Sequence, residues 1–125
     1  MMATEVSSLE TTRVIARSAE LARTPWARLI GLMGRSSLPN GAALVLDPSN
    51  SVHTCFMRFP IDVVFVDRDW SVLEIRHSMR PWRLTRLILR AKRVIELPAG
   101  TAATAGLAVG DRLSLASTGG SLTVG

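Results

Sequence analysis

The order of hydrophobic and polar positions along this chain predicts many short strands. Apolar or alternating runs of strand length are separated by glycine, proline, asparagine and aspartate, which are typical of turns. The runs cover residues 12–20, 42–46, 52–58, 61–66, 71–76, 93–97, 113–116 and 122–124. Short strands joined by frequent turns indicate a small sheet or barrel.

One helix is predicted between the first two runs. Thr24 followed by Pro25 is typical of a helix start, with the hydroxyl as N-cap and the proline in the first turn. Apolar residues then recur at helical spacing, at Trp26, Leu29, Ile30 and Met33. Gly34 is a stop signal, so we expect a helix over residues 25–34.

Together these elements predict a single α+β, mainly β domain over residues 1–125, with residues 1–10 loosely ordered. We expect a small, partly closed β-barrel or a strongly twisted sheet, with one α-helix packed on it. The chain has 125 residues, of which 47% are hydrophobic and 20% charged, and this is typical of a globular domain with its own core.

The sequence also predicts a cytoplasmic location. Residues 1–22 do not show a basic start followed by an apolar core, so they do not resemble a secretory signal. No apolar run approaches the roughly 18 residues that cross a bilayer. Cys55 is the single cysteine, so it cannot form an intrachain disulfide and fits a reducing compartment.

Positive charge is concentrated in one segment. The formal net charge is +5, and Arg76–Arg93 holds seven lysines and arginines without an acidic residue. Its pattern is that of a basic amphipathic helix, which would suit nucleic acid or a membrane surface. The alternative is an ordinary surface element whose arginine stems cover the core. Whether residues 80–92 are helical or extended stays open.

Two acidic residues stand out because they interrupt apolar strands. Asp62 and Glu96 need partners, since an unpaired buried charge is costly. One interpretation is structural, with arginines or backbone amides as partners. The other is a pocket that binds a small or anionic ligand without catalysis, and we place His53, Arg58, Asp62, Glu96 and Arg35 in it. If the two carboxyls were close, a hydrolase would be a further alternative.

Other chemistry has little support in the sequence. His53, Cys55 and Met57 alternate as soft metal ligands could, but no second ligand cluster accompanies them, so we expect no metal and no cofactor. The Walker A, GxGxxG, GxSxG and HExxH motifs are absent. The identity of the ligand and the oligomeric state are left open.

Several motifs in this order resemble one known family. They are Arg28 with Gly31–Arg35, His53–Phe65, Pro81–Arg83, Glu96–Gly100 and Gly110-Asp111. The chain resembles domain-of-unknown-function family 192, also called uncharacterised protein family 0127, over about residues 12–116. The resemblance implies a compact β-rich domain with one helix, an extended segment near residues 81–90, and no established activity.

The sequence departs from this family pattern at two positions. Cys55 stands where the pattern often has phenylalanine or tryptophan. Trp70 stands where a hairpin often has glycine, and a bulky side chain resists the positive φ of a tight turn. We therefore expect the turn after Asp69 to be altered. Many members of the family carry an export signal or a lipoprotein anchor, whereas this chain is similar to the cytoplasmic type.

Overall fold

The computed structural model describes residues 13–31, 35–116 and 119–125. The expectations for residues 1–10 and for a helix stop at Gly34 lie outside the described residues. The strands are β1 Arg13–Ala16, β2 Ser18–Ala22, β3 Ala42–Leu46, β4 Ile61–Val66, β5 Val72–Met79, β6 Arg93–Pro98, β7 Leu113–Leu115 and β8 Leu122–Val124. The helices are α1 Pro25–Ile30 and α2 Thr101–Thr104.

The strands form two sheets. The larger has five strands in the order β2-β3-β6-β4-β5, so β6 lies at its centre, and the smaller has three in the order β1-β8-β7. All neighbours are antiparallel except β2 and β3, which are parallel. Over the described residues both sheets are open, so the predicted partly closed barrel is wrong. The mainly β, α+β class is confirmed, with two short helices instead of one.

The inner strands β3, β4 and β6 of the five-stranded sheet are buried on both faces. One face, here called the sandwich face, packs against the three-stranded sheet and α2 through residues that include Val64, Ile95, Leu113 and Ala102. The opposite face, here called the loop face, lies under α1 and two loops. Coverage on both sides explains why the apolar runs of β4 and β6 are nearly continuous.

The cover of the loop face is a pair of hydrogen-bonded segments, residues 50–59 and 80–92, here called the loop pair. Thr54 joins them, since its hydroxyl donates to the Arg80 carbonyl at 2.6 Å and accepts from the Arg83 amide at 2.9 Å. Farther along, the amides of Thr85 and Ile88 donate to carbonyls of the other segment. Val52, Met57 and Ala91 are among the side chains that pack down onto the sheet.

These contacts correct one prediction and decide one question that the sequence left open. Residues 52–58 do not form a strand, because the chain turns at Cys55 and Phe56, where φ is +66° at Phe56. Residues 80–92 contain no helix, because the amides of Trp82, Thr85 and Ile88 bond across to residues 50–54. The extended path implied by the family resemblance is correct.

The helix α1 begins as predicted and ends early. The Thr24 hydroxyl accepts a 3.0 Å hydrogen bond from the Ala27 amide, which is the N-cap contact. The helix ends at Ile30 because Gly31 takes φ 48° and ψ −121°, a conformation that side chains with a Cβ resist. No helix in the described part of the chain is long and apolar enough to cross a membrane.

Two further local expectations change. The single strand expected over residues 12–20 is divided at Arg17, where the Arg17 and Ser18 amides both donate to the Gly41 carbonyl. Its first part joins the smaller sheet and its second part the larger. The turn after Asp69 forms with Trp70 in place, at φ +65°. The Asp67 carboxylate supports this turn by accepting from two backbone amides.

Candidate functional site

Glu96 is a buried acid on the central strand of the larger sheet. It lies on β6, between Leu44 of β3 and Val63 of β4 in register, so its side chain points to the loop face. The residue is 3% exposed, and Oε1 has no hydrogen-bond partner among the described residues. Buried polar atoms are nearly always bonded, so an unbonded carboxyl oxygen calls for an explanation.

Gly31 lies directly above this carboxyl. A Cβ at Gly31 would stand 3.7 Å from Glu96 Oε1, so the end of α1 approaches the acid closely. The positive φ of Gly31 turns the chain at this point. As a result the backbone of Gly31 borders the Oε1 atom on the helix side.

Arg35 gives the surroundings of Glu96 a positive charge. Its guanidinium lies 3.6 Å from a carboxylate oxygen of Glu20, which is in register with Leu44 and therefore on the same face as Glu96. Burial raises the pKa of Glu96 to about 7, and the charge of Arg35 acts in the opposite direction and lowers the pKa. The carboxyl therefore changes charge near neutral pH.

Asp62, the other predicted acid, has a different environment. It is in register with Leu97 and so points to the sandwich face, away from Glu96. Its Oδ1 accepts from the Ser78 amide at 2.8 Å and its Oδ2 accepts from the Ala102 amide at 2.8 Å. Asp62 thus ties β5 and the first turn of α2 to β4, with both oxygens bonded.

The remaining predicted residues lie in the loop pair. The Nδ1 atom of His53 accepts a 3.2 Å hydrogen bond from the Cys55 amide, and Arg58 is exposed. The described hydrogen bonds and ion pairs do not connect either residue to Glu96. The structure therefore places the charge of Arg35 close enough to Glu96 to lower its pKa, and it places His53, Arg58 and Asp62 apart from this acid.

Sequence reasoning missed the contributions of Gly31, Glu20 and Thr54. The sequence gives no local signal for Thr54, because its partners lie 26 and 29 residues away. Gly31 and Gly34 both look like helix stops, and only the fold shows that Gly31 borders Glu96. Glu20 appears as an ordinary polar position of an edge strand.

A separate cleft lies at the far end of the loop pair. It measures about 700 Å³ and contains Arg68, Arg90 and Lys92 together with Asp67 and Asp69. None of the five predicted ligand residues lines it. The Asp67 carboxylate there is already bonded to its own turn. Among the described residues, no three histidine, cysteine, aspartate or glutamate side chains cluster closely enough to hold a metal.

Comparison with known proteins finds a matching family and sequence relatives. The family described as "Uncharacterized ACR, COG1430", domain of unknown function 192, matches residues 6–115. A UPF0127 protein of Pyrococcus furiosus is 34% identical over 91 residues, which are 69% of this chain and 76% of that protein.

Two solved structures are similar as well. A protein of unknown function from Novosphingobium aromaticivorans has a TM-score of 0.69 and 27% identity, and the match covers 75% of this chain and 71% of that one. A protein from Sinorhizobium meliloti, described as a possible transcription regulator, has a TM-score of 0.70 and 27% identity over 82% of this chain and 90% of that one.

Proposed function

Because the chain belongs to the family described as Uncharacterized ACR, a description that assigns no activity, we propose a function from its own geometry: non-enzymatic binding of a small polar ligand at Glu96. The observation that carries the proposal is the buried Oε1 atom of Glu96, which has no partner among the described residues. A ligand that brings a donor to this atom would remove the cost of leaving it unbonded.

The charges around Glu96 indicate the chemistry of the ligand. Glu96 would accept from a hydroxyl or amine, and Arg35 would pair with a carboxylate or phosphate of the same molecule. Arg35 forms an ion pair with Glu20, and that pair is largely exposed, so an anionic group can compete for the guanidinium. The proposed ligand class is therefore small molecules that carry a donor close to an anionic group.

The other three predicted residues have secondary roles in this proposal. Arg58 is exposed, so it would take part only at the outer edge of the site, beside Met57 and Phe59, which pack on the loop face. His53 would take part through Nε2, since Nδ1 is already bonded. Asp62 would act from the opposite face, by holding β4 in position. A cytoplasmic location remains a prediction from the sequence.

The hydrolase alternative has less support than binding. Acid–base hydrolysis by two carboxyls needs both to face one substrate. Asp62 and Glu96 point to opposite faces of the sheet, and Asp62 has both oxygens bonded to amides.

Nucleic-acid binding is the other alternative, and the description of the Sinorhizobium relative directs attention to it. A helix that reads the major groove presents several residues along its length. The described helices have six and four residues, and the basic segment is extended. The described residues therefore provide no recognition helix for this alternative.

The proposal is tested by thermal-shift measurements with amino acids, hydroxy acids and sugar phosphates, because a ligand stabilises the folded state. Compounds that raise the melting temperature are then titrated by calorimetry against the native chain and two variants, Glu96→Gln and Arg35→Ala. We expect each variant to weaken binding about tenfold or more.

The matched control is Asp69→Asn, which makes the same change at an exposed acid. Compounds that bind the native chain and Glu96→Gln equally would contradict the proposed site. A compound set that leaves the melting temperature unchanged at both pH 6 and pH 8 would contradict the ligand class.

A further inference from the structure

Two aromatic side chains project from the loop pair in an unusual backbone conformation. Phe56 and Trp82 each have 58% of their surface exposed, and their ring centroids are 4.7 Å apart. Both have positive φ, +66° at Phe56 and +65° at Trp82. Bulky residues avoid this region, and such strain persists where the surrounding structure enforces it, often at functional surfaces.

Thr54 holds both loops in this backbone conformation. Its carbonyl accepts a 2.9 Å hydrogen bond from the Trp82 amide and a 3.2 Å bond from the Met57 amide, on either side of the aromatic contact. Thr54 itself is fully buried. The loops therefore hold the two rings outward in a defined position, although turning them inward would remove apolar surface from water.

Three leucines extend this apolar surface along the same segment. Leu84, Leu87 and Leu89 are 76%, 60% and 85% exposed, whereas Ile88 and Ala91 between and beside them pack onto the sheet. Five large apolar side chains therefore face solvent on two adjacent loops. Clustered exposure of this kind on a folded domain marks an interaction surface.

The charges on the loop pair are positive and partly unneutralised. Arg86 and Arg90 lie beside Glu74 and Asp67. The remaining cations of the segments are Arg58, Arg80, Arg83 and Lys92, all exposed and without an acidic side chain within ion-pair distance among the described residues. The partner of this surface should therefore be negatively charged as well as apolar.

We propose that the loop pair docks the protein on the surface of an anionic lipid bilayer. Trp82 and Phe56 lie at the level of the headgroups, the leucines enter the acyl boundary, and the cations pair with lipid phosphates. The proposal is independent of the ligand site at Glu96, which lies beside Gly31 at the end of α1.

Two other occupants fit this surface less well. A second copy of the chain would place the arginines of one loop pair against those of the other, which is repulsive. Nucleic acid would stack on the aromatic rings and bind the arginines, but it would leave three exposed leucines without a role. An anionic bilayer uses all three kinds of side chain.

The test is co-sedimentation of the full chain with vesicles of phosphatidylcholine alone and of phosphatidylcholine mixed with phosphatidylglycerol. We expect binding to the anionic vesicles only. The double variant Arg80→Ser/Arg83→Ser should bind about 25-fold more weakly, at about fivefold for each charge. The double variant Leu84→Ser/Leu89→Ser should bind at least about tenfold more weakly, because two apolar side chains no longer enter the bilayer.

Matched controls make the same kinds of change elsewhere on the surface. Val109→Ser removes an apolar side chain that is 65% exposed, and Arg112→Ser removes an exposed arginine. Both controls should bind like the native chain, with every variant first checked for an unchanged circular dichroism spectrum.

The proposal is overturned if the native chain does not sediment with anionic vesicles, or if the leucine variant binds like the native chain. It is also overturned if the native chain and the leucine variant bind a single-stranded oligonucleotide equally well and neither protein binds vesicles.

Discussion

Asp62 Oδ2 accepts a 2.8 Å hydrogen bond from the backbone amide of Ala102, 40 residues away along the chain. This bond places a buried carboxylate at the first turn of α2, where free amides are available. Because the other oxygen accepts from Ser78, one side chain links three elements of the fold.

Replacement of Asp62 should therefore destabilise the fold strongly. Asp62→Ala leaves two amides without their acceptor, and we expect a loss of about 4 kcal/mol in the free energy of unfolding. Asp62→Asn keeps one acceptor and should lose about half as much. Urea unfolding measures both, with Asp69→Ala as an exposed control. A loss below about 1 kcal/mol for Asp62→Ala would contradict the role.

Glu96 should make stability depend on pH in a definite direction. Its pKa is raised from the ordinary 4.5 to about 7, so the folded state holds this proton more tightly than the unfolded state. The stability that this group contributes is fully present below about pH 4.5 and is lost as the pH rises through 7.

The variant Glu96→Gln isolates this effect. Its free energy of unfolding should equal that of the native chain near pH 4.5 and exceed it by about 3 kcal/mol at pH 8. The reason is that the pKa of Glu96 shifts from 4.5 to about 7, and each unit of this shift corresponds to about 1.4 kcal/mol. Unfolding curves at a series of pH values give the difference. Parallel curves for the two proteins from pH 4.5 to pH 8 would show that Glu96 does not titrate as described.

Thr54→Val should loosen the loop pair without unfolding the sheets. The change removes the 2.6 Å bond to the Arg80 carbonyl and the 2.9 Å bond from the Arg83 amide, while the volume stays similar. We expect a loss of about 2 kcal/mol and faster hydrogen exchange in residues 80–85. Thr123→Val on β8 is the control. Unchanged exchange in residues 80–85 would rule out the connecting role.

Trp70→Gly separates backbone strain from packing. Glycine removes the cost of φ +65°, which is about 1 kcal/mol. The change also removes the stacking of Arg93, whose guanidinium carbon lies 4.4 Å from the ring centroid, and the contact with the sandwich-face core. These losses sum to about 3 kcal/mol, so we expect a net loss of about 2 kcal/mol.

Thermal unfolding measures the effect of Trp70→Gly, with Trp26→Ala as a control at an exposed tryptophan. A higher melting temperature for Trp70→Gly would mean that strain exceeds packing.

The apolar character of β3, β4 and β6 could be predicted from the sequence, because strands buried on both faces consist almost wholly of apolar residues. The same runs identified Asp62 and Glu96 as buried acids, since an acid inside such a strand has no exposed face to occupy. The Thr24 cap was also readable, because capping depends on residues three positions apart.

Only the tertiary structure decided that Asp62 has amide donors for both of its carboxylate oxygens. Asp62 and Glu96 point to opposite faces because the register between β4 and β6 pairs them with Leu97 and Val63. A shift of one residue in the pairing of a strand would turn each of its side chains to the opposite face. The pairing depends on contacts between residues far apart in sequence, so the local pattern does not determine it. The path of residues 80–92 was decided in the same way, because their amides bond to a distant segment that the local pattern does not reveal.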